Sequence, residues 1–338
     1  MRNKRIILSF DYELFFGMRS GTIQKTIIEP TYLLLDTMEH AGLRGDFFVD
    51  YLMLHSLEKN NDSISRKDLE ALKKQLRDLV RRGHRIELHL HPHWIDALYN
   101  GDGTWDFTDF RHYSLSSLNE STINTLFKEG TDYLNSIAKE VDPNYRICAF
   151  RAGGWAVQPF DKLENAFADS EIQIDSSTSY GIFKYTKNYY YDFRNIPKKA
   201  SYRFTDDVSC EEKDGKYLEI PITSFHRSVV LAFFDRVFAK LGFFKTKADG
   251  THRRIETGLD NNKPSFTEKC KKQYKMMFAL SMQSPLTIFF ALFFHKKEEL
   301  FCYIDHPKDQ SRATIIGIRL LGCFCKSTHY VDLIKSNL

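Results

Sequence analysis

Residues 83–94 read GHRIELHLHPHW and carry the densest group of histidines in the chain. His89, His91 and His93 are separated by single residues, and the alternation before them predicts a strand. Side chains at i, i+2 and i+4 of a strand leave the same face, so all three imidazoles are expected to point into one pocket. Pro92 lacks a backbone donor, which suits a strand end that opens into a site. The stretch favours metal or acid/base chemistry, with a structural histidine cluster as the alternative.

The composition limits the classes of function. At 338 residues, the chain can bury a substantial core as one large α/β domain or two smaller ones. The formal net charge of +4 is spread along the chain, which argues against nucleic acid as a partner. The six cysteines include no C-x-x-C pair, and in a chain of this length that usage favours a reducing compartment over a disulfide framework.

The N-terminal segment is expected to be a strand and not a signal peptide. It is basic and then apolar, but Asp11 and Glu13 interrupt the apolar run and no small-residue cleavage site follows. The longest apolar run, 286–294, is broken by Thr287 and is far shorter than the roughly 20 residues that a spanning helix needs. We therefore expect a cytoplasmic protein.

Strands and helices are expected to alternate along the chain. Besides the histidine strand, the predicted strands are Arg5–Phe10, Asp46–Tyr51, Arg146–Phe150, Glu171–Asp175, Lys216–Ile222 and Leu300–Asp305. The predicted helices are Pro30–Gly42, one that begins with a capping box at Ser65 and Asp68, one within Leu115–Val141, Pro159–Ala168 and a C-terminal one around Ile315–Phe324. Helices between strands favour a parallel sheet or a barrel.

The candidate reactive residues share one position, the carboxyl end of a predicted strand. In chain order they are Asp11, Glu13, the three histidines, Arg151, Asp175 and His306. In α/β barrels and open α/β sheets, this edge binds ligands and carries the chemistry. A divalent metal takes imidazole and carboxylate ligands together, and a hydrolytic metal site keeps a position open for water.

These groups, in this order, resemble the polysaccharide deacetylase family, which is also called the NodB-homology family or carbohydrate esterase family 4. The resemblance runs from Ile6 to His306. It implies an α/β fold, a distorted (β/α) barrel of about seven strands, and hydrolysis of N-acetyl or O-acetyl groups with a divalent metal. The chain, 1–338, is expected to form a single domain of this type.

The resemblance assigns roles to the first two motifs. Asp11 stands where the family has its general base, and Glu13 stands where the family has an aspartate that binds the metal. The two acids are here one residue apart and not adjacent. The family's two metal-binding histidines stand four positions apart, as do His89 and His93, with His91 as the alternative ligand. The implied metal is zinc, or another divalent ion such as cobalt, manganese or nickel.

The later motifs imply the remaining roles. Arg151 resembles the arginine that orients the base, and the segment with Gly154 and Trp155 resembles the one whose backbone N–H helps to form an oxyanion hole. Asp175 and His306 resemble the fourth and fifth motifs, and the late histidine protonates the leaving amine. Ile304 and Tyr303 are the implied lining of an acetyl pocket. The aromatic residues near the predicted site, which can stack on sugar faces although most aromatic residues are expected in the core, are Trp94, Tyr99, Trp105, Tyr113 and Trp155.

Residues 224–297 are expected to form a helical insertion before the last strand. Within 226–244, apolar residues recur at helical spacing, with Arg227, Arg236 and Lys240 elsewhere on the helix. One interpretation is that the inserted helices pack on each other and on the barrel. The other is that the segment 226–294 makes a peripheral contact with the headgroups on the inner face of the membrane.

The expected substrate is an acetamido sugar, because the family acts on acetylated sugars. The expected cytoplasmic location favours a nucleotide-linked or lipid-linked precursor in surface polysaccharide biosynthesis over a polymer outside the cell. Two alternatives stay open: a metal-dependent amidohydrolase of a small non-sugar amide, and a catalytically silent relative that binds glycan or membrane. The pattern does not predict the oligomeric state.

Overall fold

The protein is built on one nine-stranded sheet in a computed structural model that describes residues 4–17, 19–252, 275–294 and 300–335. In chain order, the strands are β1 Lys4–Tyr12, β2 Asp46–Asp50, β3 Arg85–Leu90, β4 Leu98–Tyr99, β5 Trp105–Asp106, β6 Ala149–Ala152, β7 Ile174–Asp175, β8 Phe183–Tyr185, β9 Tyr190–Asp192, β10 Tyr202–Phe204, β11 Tyr217–Glu219, β12 Ser224–His226, β13 Lys275–Met277, β14 Leu300–Asp305 and β15 Cys325–Ser327. The sheet order is β10-β11-β7-β6-β3-β2-β1-β14, and β15 also pairs with β1. All of these pairs are parallel except β10 with β11.

Helices connect the parallel strands and cover the sheet, as the alternating pattern predicts. They are α1 Glu29–His40, α2 Tyr51–Asn60, α3 Ser63–Arg81, α4 Glu120–Lys139, α5 Glu164–Asp169, α6 Val229–Lys240, α7 Pro285–Phe294, α8 Arg312–Phe324 and α9 Tyr330–Lys335. In α3, for example, the buried residues Leu69, Leu72, Leu76 and Leu79 recur every three or four positions and form the face that packs on the core. The α/β class is confirmed, and the curled mixed sheet is consistent with a distorted barrel.

The two faces of the sheet carry two different apolar clusters. In β1, Ile6, Leu8 and Phe10 belong to the large cluster under the helices, whereas Ile7 belongs to a smaller one. The smaller cluster lies on the inner side of the curl and also contains Phe48, Ala149, Ile174, Cys302 and Ile304. Because successive strand residues point to opposite faces, Ser9 and Asp11 share the inner face with Ile7.

Backbone hydrogen bonds link the region after β11 to β14 at the other end of the sheet. The Thr223 N–H donates to the Cys302 carbonyl (3.0 Å), and the Cys302 N–H donates to Thr223 Oγ1 (2.9 Å). Phe278 lies between these two segments: its N–H donates to the Thr223 carbonyl, and its carbonyl accepts from Ile304 N–H. These contacts curl the sheet and bring the ends of β1 and β14 toward those of β6 and β7.

Three details of the predicted fold need correction. The sheet has nine strands and not about seven, because β10 and β15 extend it. The helix before the histidine strand is capped by Asp62, whose carboxylate accepts from Ser65 N–H, and not by a box at Ser65 and Asp68. An additional helix, α2, precedes it, and β15 and α9 follow the helix expected to complete the chain.

The insertion 224–297 is not purely helical. Besides α6 and α7, it contains the antiparallel pair β12 and β13. Residues 253–274 and 295–299, most of which belong to the predicted insertion, lie outside the described residues. Within the described ranges, no helix combines the length and the apolar composition needed to cross a bilayer.

A pair of buried carboxyl groups joins β7 to β11. Asp175 and Glu219 are register partners, and their carboxyl groups influence each other electrostatically. Ser177 Oγ donates to Asp175 (2.7 Å), and Thr178 Oγ1 donates to Glu219 (2.7 Å). Burial raises the pKa of both groups, and the neighbouring Asp175 carboxylate raises the pKa of Glu219 further. The pair therefore favours holding a proton where a free carboxyl would be ionised.

We predict that Glu219→Gln stabilises the protein more at pH 8 than at pH 5. A carboxyl whose pKa is raised on folding stabilises the folded state at low pH and loses that contribution as the pH rises toward its folded pKa. Glutamine keeps the hydrogen bonds of the protonated acid, so the stability difference should grow by about 1.4 kcal/mol per pH unit over that range. Urea unfolding at several pH values measures it. Glu70→Gln, at a side chain that is 70% exposed, is the control, and a difference independent of pH would contradict the shared proton.

Candidate active site

The carboxyl ends of β1, β3, β6 and β14 bring a group of ionisable side chains together. Its members are Asp11, Glu13, His89, His91, Arg151 and His306. Parallel strands end at the same edge of the sheet, so residues far apart in sequence converge there. All except His306 are buried, and the side chain of His306 is 22% exposed. The site therefore faces solvent through His306.

Glu13, His89 and His91 form its most compact part. Glu13 Oε2 lies 3.1 Å from His89 Nε2 and 2.6 Å from His91 Nε2. His89 Nδ1 lies 2.7 Å from the Arg151 carbonyl, an acceptor only, so this contact places a ring proton on Nδ1 and directs Nε2 toward Glu13. The three ligand atoms lie within 4.8 Å of one another. Two imidazole nitrogens and one carboxylate oxygen in this arrangement fit a divalent cation.

Glycine at position 153 lets His91 approach β6. A Cβ atom built on Gly153 would lie 2.6 Å from His91 Nδ1 and 2.6 Å from the Leu90 carbonyl, which is closer than real Cβ contacts allow. Any larger residue would therefore displace the imidazole or the backbone of β3. The Gly-Gly sequence after Arg151 thus has a packing role in addition to any contact with substrate.

The charges in the site are strongly coupled. Burial would raise the pKa of Glu13, but Lys308, His91 and His89 hold it well below its usual value. Burial would lower the pKa of His89, but Asp11 and Glu13 raise it to about 9. The carboxylates therefore stay ionised although they are buried, because Arg151, Lys308 and His89 balance their charge.

Arg151 fixes Asp11 from the inner side of the curled sheet. Its guanidinium is fully buried, and Nη1 lies 2.6 Å from Asp11 Oδ1. Burial would raise the pKa of Asp11, but Arg151, His89 and His306 together lower it. Asp11 is therefore an ionised base with one oxygen held by Arg151 and the other, Oδ2, directed toward His306 at 3.7 Å.

His306 stands across the pocket from Asp11. Its Nε2 lies 3.7 Å from Asp11 Oδ2 and 3.5 Å from Glu13 Oε1, and its Nδ1 lies 3.4 Å from Asp309 Oδ2. Burial and the Lys308 ammonium lower its pKa, although the nearby carboxylates oppose that shift. An imidazole at this position can exchange a proton with a group bound beside it and Asp11.

Sequence reasoning missed two residues of this site. Lys308 Nζ lies 2.7 Å from Glu13 Oε1, and Tyr330 from α9 places its hydroxyl 3.1 Å from Arg151 Nη2. Both residues follow the last motif, and nothing in the local pattern tells which way their side chains turn. For Lys308, the sequence shows only a lysine two positions after His306. Nothing distinguishes such a lysine from the many that lie on protein surfaces.

His93 does not join the cluster of Glu13 and His89. Strand β3 ends at Leu90 and Pro92 begins a 3-10 turn, so the alternation that predicted three imidazoles on one face stops after His91. The His93 ring lies among aromatic rings instead, 5.4 Å from Tyr113 and stacked on Phe110. The structure thus favours His91, the alternative ligand, over His93.

Two residues expected to bind substrate face the core instead, and this corrects the prediction. Tyr303 lies on the outer face of β14, where its ring stacks on Phe278 at 4.8 Å and only 1% of the residue is exposed. Trp94 is buried as well, and its indole N–H donates to Asp50 at 2.6 Å. Neighbouring Ile304 belongs to the inner cluster, as strand alternation requires.

The remaining expected residues lie at different distances from the cluster. Asp175 belongs to the carboxyl pair of β7 and β11 described above, and its carboxylate accepts hydrogen bonds from Ser177. Gly154 and Trp155 come one residue after β6, and both have positive φ. Trp155 is half-buried and packs edge-on against Tyr191, 5.9 Å away. The segment after Arg151 thus lies beside the pocket, and Asp175 lies below it.

Comparisons with known proteins report similarity of structure. Neither models of known protein families nor the curated proteins give a match. Among solved structures, a Mycobacterium smegmatis protein assigned as a polysaccharide deacetylase is 11% identical, with a TM-score of 0.45 and coverage of 99% of this chain and 90% of that chain. The 4-alpha-glucanotransferase from Thermococcus litoralis is 9% identical, with a TM-score of 0.50 and coverage of 98% of this chain and 38% of that chain.

A family 4 carbohydrate esterase from Streptomyces lividans, solved in complex with acetate, is also similar. It is 12% identical, with a TM-score of 0.31 and coverage of 54% of this chain and 65% of that chain. The similar structures therefore include the family that the sequence motifs resemble. At these identities the likeness concerns the fold, and the case for activity depends on the residues of the site.

We predict that His91→Ala loses a divalent metal that His93→Phe retains. His91 Nε2 lies at the Glu13 carboxylate, whereas the His93 ring packs among aromatic rings that a phenyl group can also contact. Zinc content per protein, measured by elemental analysis after dialysis, tests this, with circular dichroism as the check on folding. Metal lost from His93→Phe but retained in His91→Ala would restore the ligand set Glu13, His89 and His93.

Proposed function

We propose that this protein is a metal-dependent hydrolase that removes an N-acetyl or related acyl group from a sugar. The observation that carries the proposal is an ionised Asp11, held by Arg151, beside the cluster of Glu13, His89 and His91. Hydrolysis of an amide needs a polarised carbonyl, an activated water and a proton for the departing nitrogen. When bound by Glu13, His89 and His91, a divalent cation such as zinc supplies the Lewis acid.

Asp11 is suited to act as the general base. Arg151 Nη1 occupies Oδ1, so Oδ2 is the oxygen that can accept a proton from water. The neighbouring positive charges keep the pKa of Asp11 low, so the carboxylate is ready to accept that proton at neutral pH. Arg151 also fixes the direction of the carboxylate, which favours in-line attack by the water over random approach.

His306 is suited to act as the acid that protonates the leaving nitrogen. Its Nε2 lies 3.7 Å from Asp11 Oδ2, so both groups can reach the same reacting atoms of a substrate bound beside them. The proton that Asp11 takes from water can pass to His306 Nε2 and from there to the leaving nitrogen. Asp309, 3.4 Å from Nδ1, orients the ring for this transfer.

A sugar substrate is supported by the aromatic rim of the site. Tyr113 lies 6.0 Å from the His91 ring and 4.3 Å from Tyr189, and half-buried Trp155 follows the strand that carries Arg151. Rings in such positions can stack on the apolar face of a pyranose. We infer a nucleotide-linked or lipid-linked acetamido sugar, and acetate release from a panel of such sugars is the direct assay.

Asp11→Asn is predicted to keep the metal and to lose nearly all turnover. Asparagine preserves the shape and one hydrogen bond to Arg151 but cannot accept a proton from water. A positioned general base contributes about a hundredfold to ten-thousandfold, so acetate release should fall by that factor with little change in zinc content. Turnover at the wild-type rate would exclude Asp11 as the base and would favour a different reaction.

A membrane-bound substrate is supported by an exposed apolar face on the insertion. Val230, Phe233, Leu241 and Met282 are each about 60% exposed, and α7 beside them exposes Leu286 and Phe290. The chain after α6 continues into a groove lined by Phe243, Ile315 and Ile316 together with three cations, Lys245, Lys247 and Arg312. Apolar side chains bordered by cations suit an anionic lipid surface.

We predict that the protein sediments with vesicles containing anionic phospholipid. The double variant Phe233→Ser with Leu241→Ser should lower the bound fraction by roughly tenfold or more, because two large apolar side chains no longer enter the interface. Leu98→Ser is the matched control, because Leu98 is 66% exposed but lies on β4, outside the insertion. Equal sedimentation with neutral and anionic vesicles at low salt, or an equal loss in the control, would remove the membrane contact from the proposal.

A further inference from the structure

Lys308 is a buried lysine that pairs with the Glu13 carboxylate. Only 4% of the residue is exposed, and its Nζ donates to Glu13 Oε1 at 2.7 Å and to the Leu14 carbonyl at 2.8 Å. The rings of Phe15 and Phe16 lie about 5 Å from the ammonium and complete its surroundings. A lysine is rarely buried to this degree unless it is paired, so its partner, Glu13, determines its place.

The backbone holds this lysine from two sides. Lys308 lies in the 3-10 turn Pro307–Asp309, directly after His306. Its carbonyl accepts a hydrogen bond from Thr246 Oγ1 (2.7 Å), which belongs to the insertion. The turn and the insertion together fix the point from which the side chain reaches Glu13.

The two oxygens of Glu13 consequently have different surroundings. Oε1 faces the Lys308 ammonium, whereas Oε2 faces the Nε2 atoms of His89 and His91. A carboxylate in this position can offer one oxygen to a cation between the histidines, while the second oxygen is occupied by an ammonium. The charge that Glu13 offers to the cation is also partly balanced by Lys308.

We propose that Lys308 is a positioning residue that restricts Glu13 to one metal-facing oxygen and weakens its hold on the metal. The proposal rests on the metal site assigned under the proposed function. Each carboxylate of the site is paired with a cationic side chain, Asp11 with Arg151 and Glu13 with Lys308. Because Lys308 already balances the charge of Glu13, this ligand would neutralise less of the charge of a bound divalent cation. More of that charge would stabilise the substrate oxygen on which negative charge develops, and metal binding would be weaker.

Lys308→Met tests this with a readout that is independent of activity. The dissociation constant for Co²⁺ is measured by competition with a chelator, and the visible absorption of the Co²⁺-loaded protein is recorded. Removing the ammonium should tighten Co²⁺ binding by about tenfold or more, because the Glu13 charge is no longer balanced. It should also lower the molar absorption, because the second Glu13 oxygen becomes free to raise the coordination number.

Two further variants keep the test decisive. Lys308→Gln removes the charge but retains a donor for the Leu14 carbonyl, so it gives the same answer if methionine prevents folding. Thr246→Val removes the hydrogen bond to the Lys308 carbonyl and keeps the charge, so its Co²⁺ affinity should equal or fall below that of the wild type.

The possible outcomes distinguish failure of the proposed metal site from failure of the proposed role of Lys308. If the wild-type protein binds no Co²⁺, the metal site of the proposed function fails, and this inference fails with it. If the wild type binds Co²⁺ but the folded Lys308→Met and Lys308→Gln proteins bind it equally or more weakly, only the role of Lys308 is overturned. A residue that merely supports the fold would weaken binding when replaced, which is the opposite of the expected result.

Discussion

The buried ion pair between Arg151 and Asp11 is the interaction on which the rest of the site depends. A guanidinium without access to water is stable only when its donors and its charge are matched. Here the matching groups come from separate parts of the chain: Asp11 and Ser9 from β1, Ser176 after β7, Tyr330 from α9, and the Phe48 ring from β2, 4.1 Å from the guanidinium carbon. Arg151 thus ties four elements to the inner face of the sheet and orients the carboxylate above them.

The ionisable groups lie at one edge of the inner face, and the apolar groups lie deeper. Ile7, Cys302 and Ile304 fill the inner side below the site, while charged residues take over at the carboxyl ends of the same strands. The apolar layer excludes water from one side of the charges, which strengthens every interaction between them. The pKa shifts of Asp11, Glu13 and His89 are the result of this arrangement.

Much of this could be read from the sequence because strand periodicity is local. The strand Leu300–Asp305 has the predicted bounds, and the positions of Asp11, Glu13, His89, Arg151 and His306 follow from the strand ends. The same alternation also predicts the direction of Tyr303. Ile304 and His306 stand two positions apart and point to the same face, so Tyr303 points to the opposite face, toward the helices. His93 could not be placed in this way, because the backbone turns at Pro92. Lys308 and Tyr330 reach the site through long-range packing that no local pattern encodes.

The pairing of β1 with β14 has a consequence for how the chain acquires its structure. The Glu13–Lys308 contact spans 295 positions, and β1 pairs with β14 along one edge and with β15 and then β2 along the other. Contacts of such separation make folding slow, because a large loop must close before they form. During synthesis, the apolar strand KRIILSFDY therefore has one unpaired edge until nearly the whole chain has left the ribosome. An unpaired apolar edge is a template for pairing with other chains, so the yield of native protein should depend on chaperones that shield it.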